Sequence, residues 1–342
     1  MNLQSVGNNP YTGAYGFNTY AGERAIGYTN LSSNIYPIFS QSFVAYYYPT
    51  TLTGRITSRS IVPPDLENGG NIAIFRRPPR AKVKEYTRNG IMEHDDNLGG
   101  STIDIRIDQQ YYYSCKIDDI DYKQIQNVEE YLDNYQYDAM QKLAQITDVQ
   151  VIDTIIHGAS AYNKGEVAGQ STHQWNLGAY GRPITLTEDN VFAMLTKMDS
   201  VLSEANIPAN DRFIVVPIEL FYALNMSKVT LSALNSGLAR STAFNGLQTY
   251  NIPIASFSDV YSTNIMPKVY DSLARKYCSY VIGGRGDATA FVAQMSKSRV
   301  ITEEVNSFDR YLQGLFVFGS GVIQPEALTV MYYTYAPKNS VV

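Results

Sequence analysis

The chain has 342 residues, 44% hydrophobic and 17% charged, so it can bury a sizeable core and exceeds the ~250–300 residues at which one core usually splits. Its net charge of -5 argues against a basic nucleic-acid footprint, and two cysteines, Cys115 and Cys278, exclude a disulfide framework and give no metal-type spacing. Two lobes in one chain are the expectation. No apolar run reaches the ~18 residues needed to span a bilayer, so no membrane segment is expected. Met1 to Asn9 carry neither the basic nor the apolar region of a secretory signal, which leads us to expect synthesis as a soluble intracellular chain.

Residues 1 to about 50 are rich in Gly, Asn, Ser, Thr and Tyr with no sustained apolar period, the composition of an extended arm that orders against a partner. Period-two alternation predicts strands at Ile56 to Ile61 and Asn71 to Phe75. A basic, proline-bearing turn (Arg76 to Arg80), a second strand and a charged, glycine-rich loop (Arg88 to Gly100) follow. In the next run, Thr102 to Asp108, Ile103, Ile105 and Ile107 face one way and Asp104, Arg106 and Asp108 the other. A hairpin of this kind has no obvious core of its own, so Ile72, Ile74, Ile103, Ile105 and Ile107 are expected to find cover on a neighbouring subunit. Its charges, Arg76, Arg77, Arg80 and Arg88 with Glu85, Glu93, Asp95 and Asp96, are then expected in contacts between subunits. This grammar suits a shell-building protein rather than an enzyme.

From Val128 to Ile152 apolar residues recur at spacings of three and four, predicting one helix from near Asp121 to near His157, ~55 Å long. The carboxylates at Asp118 and Asp119 fit its N-terminus, Gly158 fits its C-terminal cap, and its apolar stripe is expected to pack on the terminal strands. A Gly-rich loop (158 to 186) carries the only tryptophan, Trp175. Thr185-Leu-Thr-Glu188 reads as a capping box before a helix through Val191, Leu195, Met198 and Leu202. Arg212 to Val216 reads as a fully buried strand, and Glu219 to Met226 as a short helix. Strands are expected at Asn251 to Ser256, Tyr277 to Ile282 and Arg299 to Val305, and in the tail at Leu315 to Phe318, Gly321 to Ile323 and Leu328 to Tyr332.

Chemistry finds little footing. His94-Asp95-Asp96 is the one place where histidine adjoins carboxylates, and it lies in a loop, so a solvated tip is favoured over the metal-dependent hydrolase it could otherwise suggest. Gly283-Gly-Arg-Gly286 lacks the phosphate-loop lysine and reads as a turn; its Arg285-Gly-Asp287 tripeptide is a common chance match to an adhesion signal. His157 and His173 have no partner nearby in sequence. The 28 tyrosines suit surfaces buried between subunits, or simply fill strands. No catalytic residue, cofactor or metal is expected.

Several segments resemble, in order, the major capsid proteins of tailed bacteriophages, which carry the shell fold named for the phage Hong Kong 97, and most nearly those of short-tailed phages. They are Ile74-Phe-Arg-Arg-Pro-Pro79 with Lys84-Glu-Tyr-Thr-Arg-Asn-Gly90; Thr102 to Tyr111 running into Ile117-Asp-Asp-Ile-Asp-Tyr-Lys-Gln124; Arg212 to Pro217; Ser262-Thr-Asn264 with Pro267; and Gly314-Leu-Phe-Val-Phe-Gly319 with Pro325-Glu-Ala-Leu328. The resemblance implies an α+β fold with an N-terminal arm (1–53), an extended loop hairpin (54–115), a peripheral domain with a long spine helix (116–186), an axial α/β domain (187–305) and return strands to the peripheral domain (306–342). It implies self-assembly into hexamers and pentamers of an icosahedral head around double-stranded DNA, within the virion after assembly in the bacterial cytoplasm. The partners it implies are the chain itself, a portal protein, a cement protein and non-specific contact with DNA. The arm is too short for the cleaved scaffolding segment of some relatives, so a separate scaffolding protein, or an already mature chain, is implied. An encapsulin-type nanocompartment shell is the alternative with the same fold.

Overall fold

The computed structural model describes residues 51–58, 72–77, 101–124, 128–227, 240–244, 247–251, 257, 259–301 and 309–337, with single positions at 83, 85 and 88. In chain order the elements are α1 (Thr53–Ile56), β1 (Ile72–Arg77), β2 (Ser101–Arg106), β3 (Gln109–Asp118), α2 (Asp119–Gln124), α3 (Val128–Gly158), β4 (Ile184–Leu186), α4 (Val191–Glu204), β5 (Arg212–Pro217) and α5 (Ile218–Met226). They continue with β6 (Arg240–Phe244), β7 (Leu247–Asn251), β8 (Asp259–Thr263), β9 (Lys268–Asp271), β10 (Lys276–Arg285), β11 (Thr289–Ile301), β12 (Asp309–Val322) and β13 (Leu328–Tyr335). The N-terminal arm and the tip of the expected hairpin, His94 included, lie outside the described residues.

One sheet runs β4-β13-β10-β5-β8, with β9 paired to β10. β5 is buried throughout, as its apolar run from Phe213 to Val216 predicts for a strand covered on both faces. On one face Val215, Ile282 and Val330 meet Val151, Ile152 and Ile155 of α3 and Leu52 and Ile56 beside α1. On the other, Ile214, Val281, Met331 and Tyr333 meet Val191, Leu195, Met198 and Leu202 of α4 and Leu220 of α5. Arg212, at the head of β5, is buried and ties the layers: its Nη1 donates to Asp199 Oδ1 at 2.5 Å and Ser203 Oγ at 3.1 Å, and its Nε to Pro208 O at 3.1 Å.

A second sheet, β11-β12-β3, lays one face on the spine helix α3. Phe318 stacks on Tyr111 with Phe316 tilted against it, Thr154 Oγ1 and Ser320 Oγ share a hydrogen bond of 2.9 Å, and Tyr135 donates its hydroxyl to Ser114 O at 3.2 Å. The helix is unbroken from Val128 to Gly158, and its C-terminal half packs on the terminal strands as expected. Continuity with α2 depends on residues 125–127, outside those described. Asp118 accepts from Ile120 N at 2.8 Å and Asp119 sits in the first turn of α2, so these carboxylates start that short helix. Gly158 is needed for space: a Cβ there would lie 2.5 Å from Val322 Cγ2. Leu143→Pro should remove a helix hydrogen bond and clash with the preceding turn. Thermal unfolding should show a loss of ~3 kcal/mol or more.

Several expectations are corrected. Of the strand expected from Ile56 to Ile61, Ile56 instead closes a helical turn begun at Thr53, because Leu52 and Ile56, four apart, both point into the main core, and residues 59–61 lie outside those described. The helix after the Gly-rich loop starts at Val191, not at a Thr185 cap. Ile184–Leu186 is held extended by its parallel ladder to β13, and Asn190 folds back to accept from Thr187 N at 2.8 Å and donate to Thr185 O at 3.0 Å. Gly283 and Gly284 lie inside β10 rather than in a turn; a Cβ on Gly284 would meet Ala327 O at 2.8 Å. His157 does have a partner, Asp153, whose Oδ1 is 3.2 Å from its Nδ1. Both cysteines are free.

Strand pairing also joins segments far apart in the chain. β11 joins the sheet of the spine helix, while β13, buried along almost its entire length, lies between β4 and β10 in the other sheet. The apolar face of α3 contacts both sheets through one continuous core, so Tyr48–Val342 is one compact unit rather than two lobes.

The loop carrying Trp175 is pinned by one carboxylate. Glu204 accepts from Trp175 Nε1 at 2.5 Å, Thr172 Oγ1 at 2.8 Å, Ser171 N at 3.1 Å and Thr172 N at 3.2 Å. Burial pushes its carboxyl up, but the Trp175 and Thr172 bonds outweigh that and lower its pKa from 4.5 to about 2. A pKa depressed on folding stabilises above the unfolded value and is lost as pH falls through the folded one. Emission from the sole tryptophan should therefore change as pH drops from about 4.5 towards about 2, and Glu204→Gln should show the changed emission already at neutral pH.

Candidate assembly surfaces

The hairpin of β1 and β2 is antiparallel, pairing Ala73 with Ile105 and Phe75 with Ile103. Ala73, Phe75, Ile105 and Ile107 are buried with Ala290 and Val292, and Ile103, Val317 and Ile323 pack against them. The base of the hairpin thus has cover within its own chain. This corrects the expectation that its isoleucines all need a neighbour. It also splits them between two faces: Ile72 and Ile74 point outward, because the period-two pattern of β1 offers two apolar sets and Phe75 with small Ala73 takes the inside. Two glycines permit the close fit: a Cβ on Gly319 would lie 2.3 Å from Arg106 O, and one on Gly321 would lie 2.6 Å from Ile105 Cγ1.

The outer face of the hairpin carries Ile72 opposite Arg106, Ile74 opposite Asp104, and Arg76 opposite Thr102, all exposed, with Ile74 at 55%. Of the charges expected between subunits, Arg76 lies on this face, Arg77 ends β1 opposite Ser101, and Glu85 and Arg88 are exposed. Arg80, Glu93, Asp95 and Asp96 lie outside the described residues.

A second surface escaped the sequence reading. On the face of the β11-β12-β3 sheet turned away from α3, beyond the hairpin's footprint, Tyr112 pairs with Leu315, which pairs with Lys297; Tyr112 is 78% exposed. Arg299, next on β11, donates to Gln313 Oε1 at 3.0 and 2.8 Å. The alternation within Tyr111-Tyr112-Tyr113 was the available signal, since it sends the middle ring opposite to its neighbours. At the end of this sheet Lys116 pairs with Asp309 at 2.6 Å, which raises its pKa. Lys123 and Arg310 hold the Asp119 carboxyl below its usual range, and Arg310 also lies over the Tyr122 ring at 3.9 Å.

A third surface is the β9–β10 turn, where Tyr270, Leu273 and Tyr277 are exposed and the Tyr270 and Tyr277 rings lie 5.2 Å apart. Asp271 braces it, accepting from Gly181 N at 2.6 Å, Leu273 N at 2.9 Å, Ala274 N at 3.0 Å and Tyr332 OH at 3.2 Å. Burial pushes its carboxyl up, and those donors outweigh it and hold it below the usual range. Tyr332 and Tyr333 fill a buried strand, one of the two readings of the tyrosine content, while Tyr112, Tyr270 and Tyr277 are exposed. Among the described residues no group of three or more His, Cys, Asp or Glu is placed to hold a metal, and no helix is long and apolar enough to cross a membrane.

No family model matches the sequence, and no curated protein does either. Solved structures do. A chain of Mycobacterium phage Che8 is similar over 87% of this chain and 97% of its own, with TM-score 0.61 and 19% identity. The capsid asymmetric unit of cyanophage Pam1 aligns over 90% of this chain and 99% of its own, with TM-score 0.61 and 9% identity. The mature capsid of bacteriophage PhiM1 aligns over 89% and 92%, with TM-score 0.60 and 12% identity. The chain has the Hong Kong 97-type fold of tailed-phage capsid subunits, a mixture of helix and sheet, as the sequence resemblance led us to expect.

Proposed function

We propose that the chain is the major capsid protein of a tailed bacteriophage, assembling into the hexamers and pentamers of an icosahedral head around double-stranded DNA. The observation that carries this reading is the near-complete coverage, in both directions, of subunits solved as capsids. In this reading residues 1–53 are the N-terminal arm and β1 and β2 the root of the extended loop. The spine helix and the β11-β12-β3 sheet make the peripheral part, and the six-stranded sheet the axial part. Its partners are copies of itself, a portal protein, a scaffolding protein, a cement protein and, without sequence preference, the packaged DNA. Function is by binding, with no covalent step.

Affinity then comes from many repeated contacts. Exposed ion pairs are worth only ~0–1 kcal/mol each, and salt screens them. The outer hairpin charges (Arg76, Asp104, Arg106, Glu85, Arg88) and the Tyr112–Leu315 face are the proposed contacts. Electron microscopy of the purified chain at rising concentration is the test. Shells, tubes or rings that diminish with added salt are expected; a monodisperse monomer at high concentration overturns the reading.

A further inference from the structure

We propose that Asp148 is a positioning residue for assembly: from the middle of α3 it fixes the short segment, 51–58, that joins the N-terminal arm to the extended hairpin. The importance of this for shells rests on the capsid reading above; the anchoring itself does not.

The geometry is specific. Asp148 is only 1% exposed, and both carboxylate oxygens are used: Oδ2 accepts from Leu52 N at 2.9 Å, and Oδ1 from Thr53 N at 2.8 Å and Thr53 Oγ1 at 2.6 Å. Leu52 N and Thr53 N stand at the start of α1, where a helix has donors without intrahelical acceptors. A local side chain normally takes that place, but Leu52 offers none, and the cap comes from a residue 95 positions away. A helix of four residues cannot hold itself in water, so α1 depends on this cap and on the burial of Leu52 and Ile56. At the far end Ser58 N donates to Thr289 O at 2.9 Å, which ties the segment to the start of β11.

The chemistry calls for a carboxylate. Two backbone N–H groups and a hydroxyl all donate into it. An amide at this position would turn its own NH2 onto one of those N–H groups, leaving a buried donor unpaired. Asp148→Asn changes almost no volume and leaves the two sheets untouched. Thr53→Val is the milder companion, deleting only the hydroxyl bond.

Hydrogen exchange on the full-length unassembled chain, paired with shell yield, is the test. For Asp148→Asn the amides of Leu52 and Thr53 should exchange about ten- to a hundredfold faster, while those of β5, β10 and β13 keep their protection. Shell yield should fall, and Thr53→Val should give a smaller change in the same direction. Unchanged exchange at Leu52 and Thr53, or an equal rise throughout β5, β10 and β13, overturns the proposal, the latter making Asp148 an ordinary core residue. Faster local exchange with undiminished shells overturns the role in assembly. If the unaltered chain forms no shells, it is the capsid reading that fails, and the exchange data still decide the anchor.

Discussion

Replacing Asp199 with alanine should destabilise the subunit by about 3–5 kcal/mol, the usual cost of breaking one side of a buried ion pair. Arg212 is 1% exposed at the head of the central strand β5, and Asp199 Oδ1 at 2.5 Å is the carboxylate facing its Nη1. Without it the guanidinium keeps, among its other partners, the Ser203 hydroxyl and the carbonyls of Ile207 and Pro208, which are neutral groups. The positive charge would sit between α4 and β5, at the seam of two layers. Replacing both partners by apolar residues of similar size should cost much less, since no unpaired charge remains. Urea unfolding of the single and double variants separates these effects. A single variant within about 1 kcal/mol of the parent would show the pair to be dispensable, contrary to the usual cost.

Gly319→Val should abolish shell formation while leaving most of the subunit folded. A Cβ at Gly319 would lie 2.3 Å from Arg106 O and 3.0 Å from Ile107 Cα, and backbone cannot rotate aside as a side chain can. Overpacking of this kind costs ~1–3 kcal/mol or more. The strand with least to lose is β2, so the strain should lift the hairpin and uncover Ile105 and Ile107. Helical circular dichroism and Trp175 emission should stay close to the parent, since α3, α4 and the Glu204 contact are elsewhere. Gly321→Ala should be milder, because its new methyl meets the Ile105 side chain rather than backbone. Shells at parental yield from Gly319→Val, with unchanged exchange in β2, would show that the hairpin's seat does not govern assembly.

How far such features could be read in advance depended on whether the signal was local. β5 was legible because five successive residues from Arg212 precede a proline and four are apolar, and α3 because its period persists over many turns. The facing of β1 was not, since Ile72 and Ile74 are more hydrophobic than Ala73 and yet lie outside; fit against Ala290 decided it, a contact over two hundred residues away. Gly283 and Gly284 looked like a turn because a strand glycine and a turn glycine are the same residue in a sequence. Glu204 and Asp148 gave no warning either, as each acts on backbone about thirty or more positions distant. Of the hairpin charges, the side of the strand could be assigned only once the register was known.

The position of β13 bears on how the subunit is made. β4 is translated long before it, yet among the described residues pairs only with β13, and β10 waits with one edge open until the same strand arrives. In the other sheet, Ser114 and Gln313 meet across 199 residues. Such non-local pairing closes slowly, and until it does the nascent chain presents unpaired strand edges that can recruit other chains. Maturation of each subunit thus hangs on a late segment. The pool of unfinished chains present during synthesis is then set by the rate at which β13 inserts between β4 and β10.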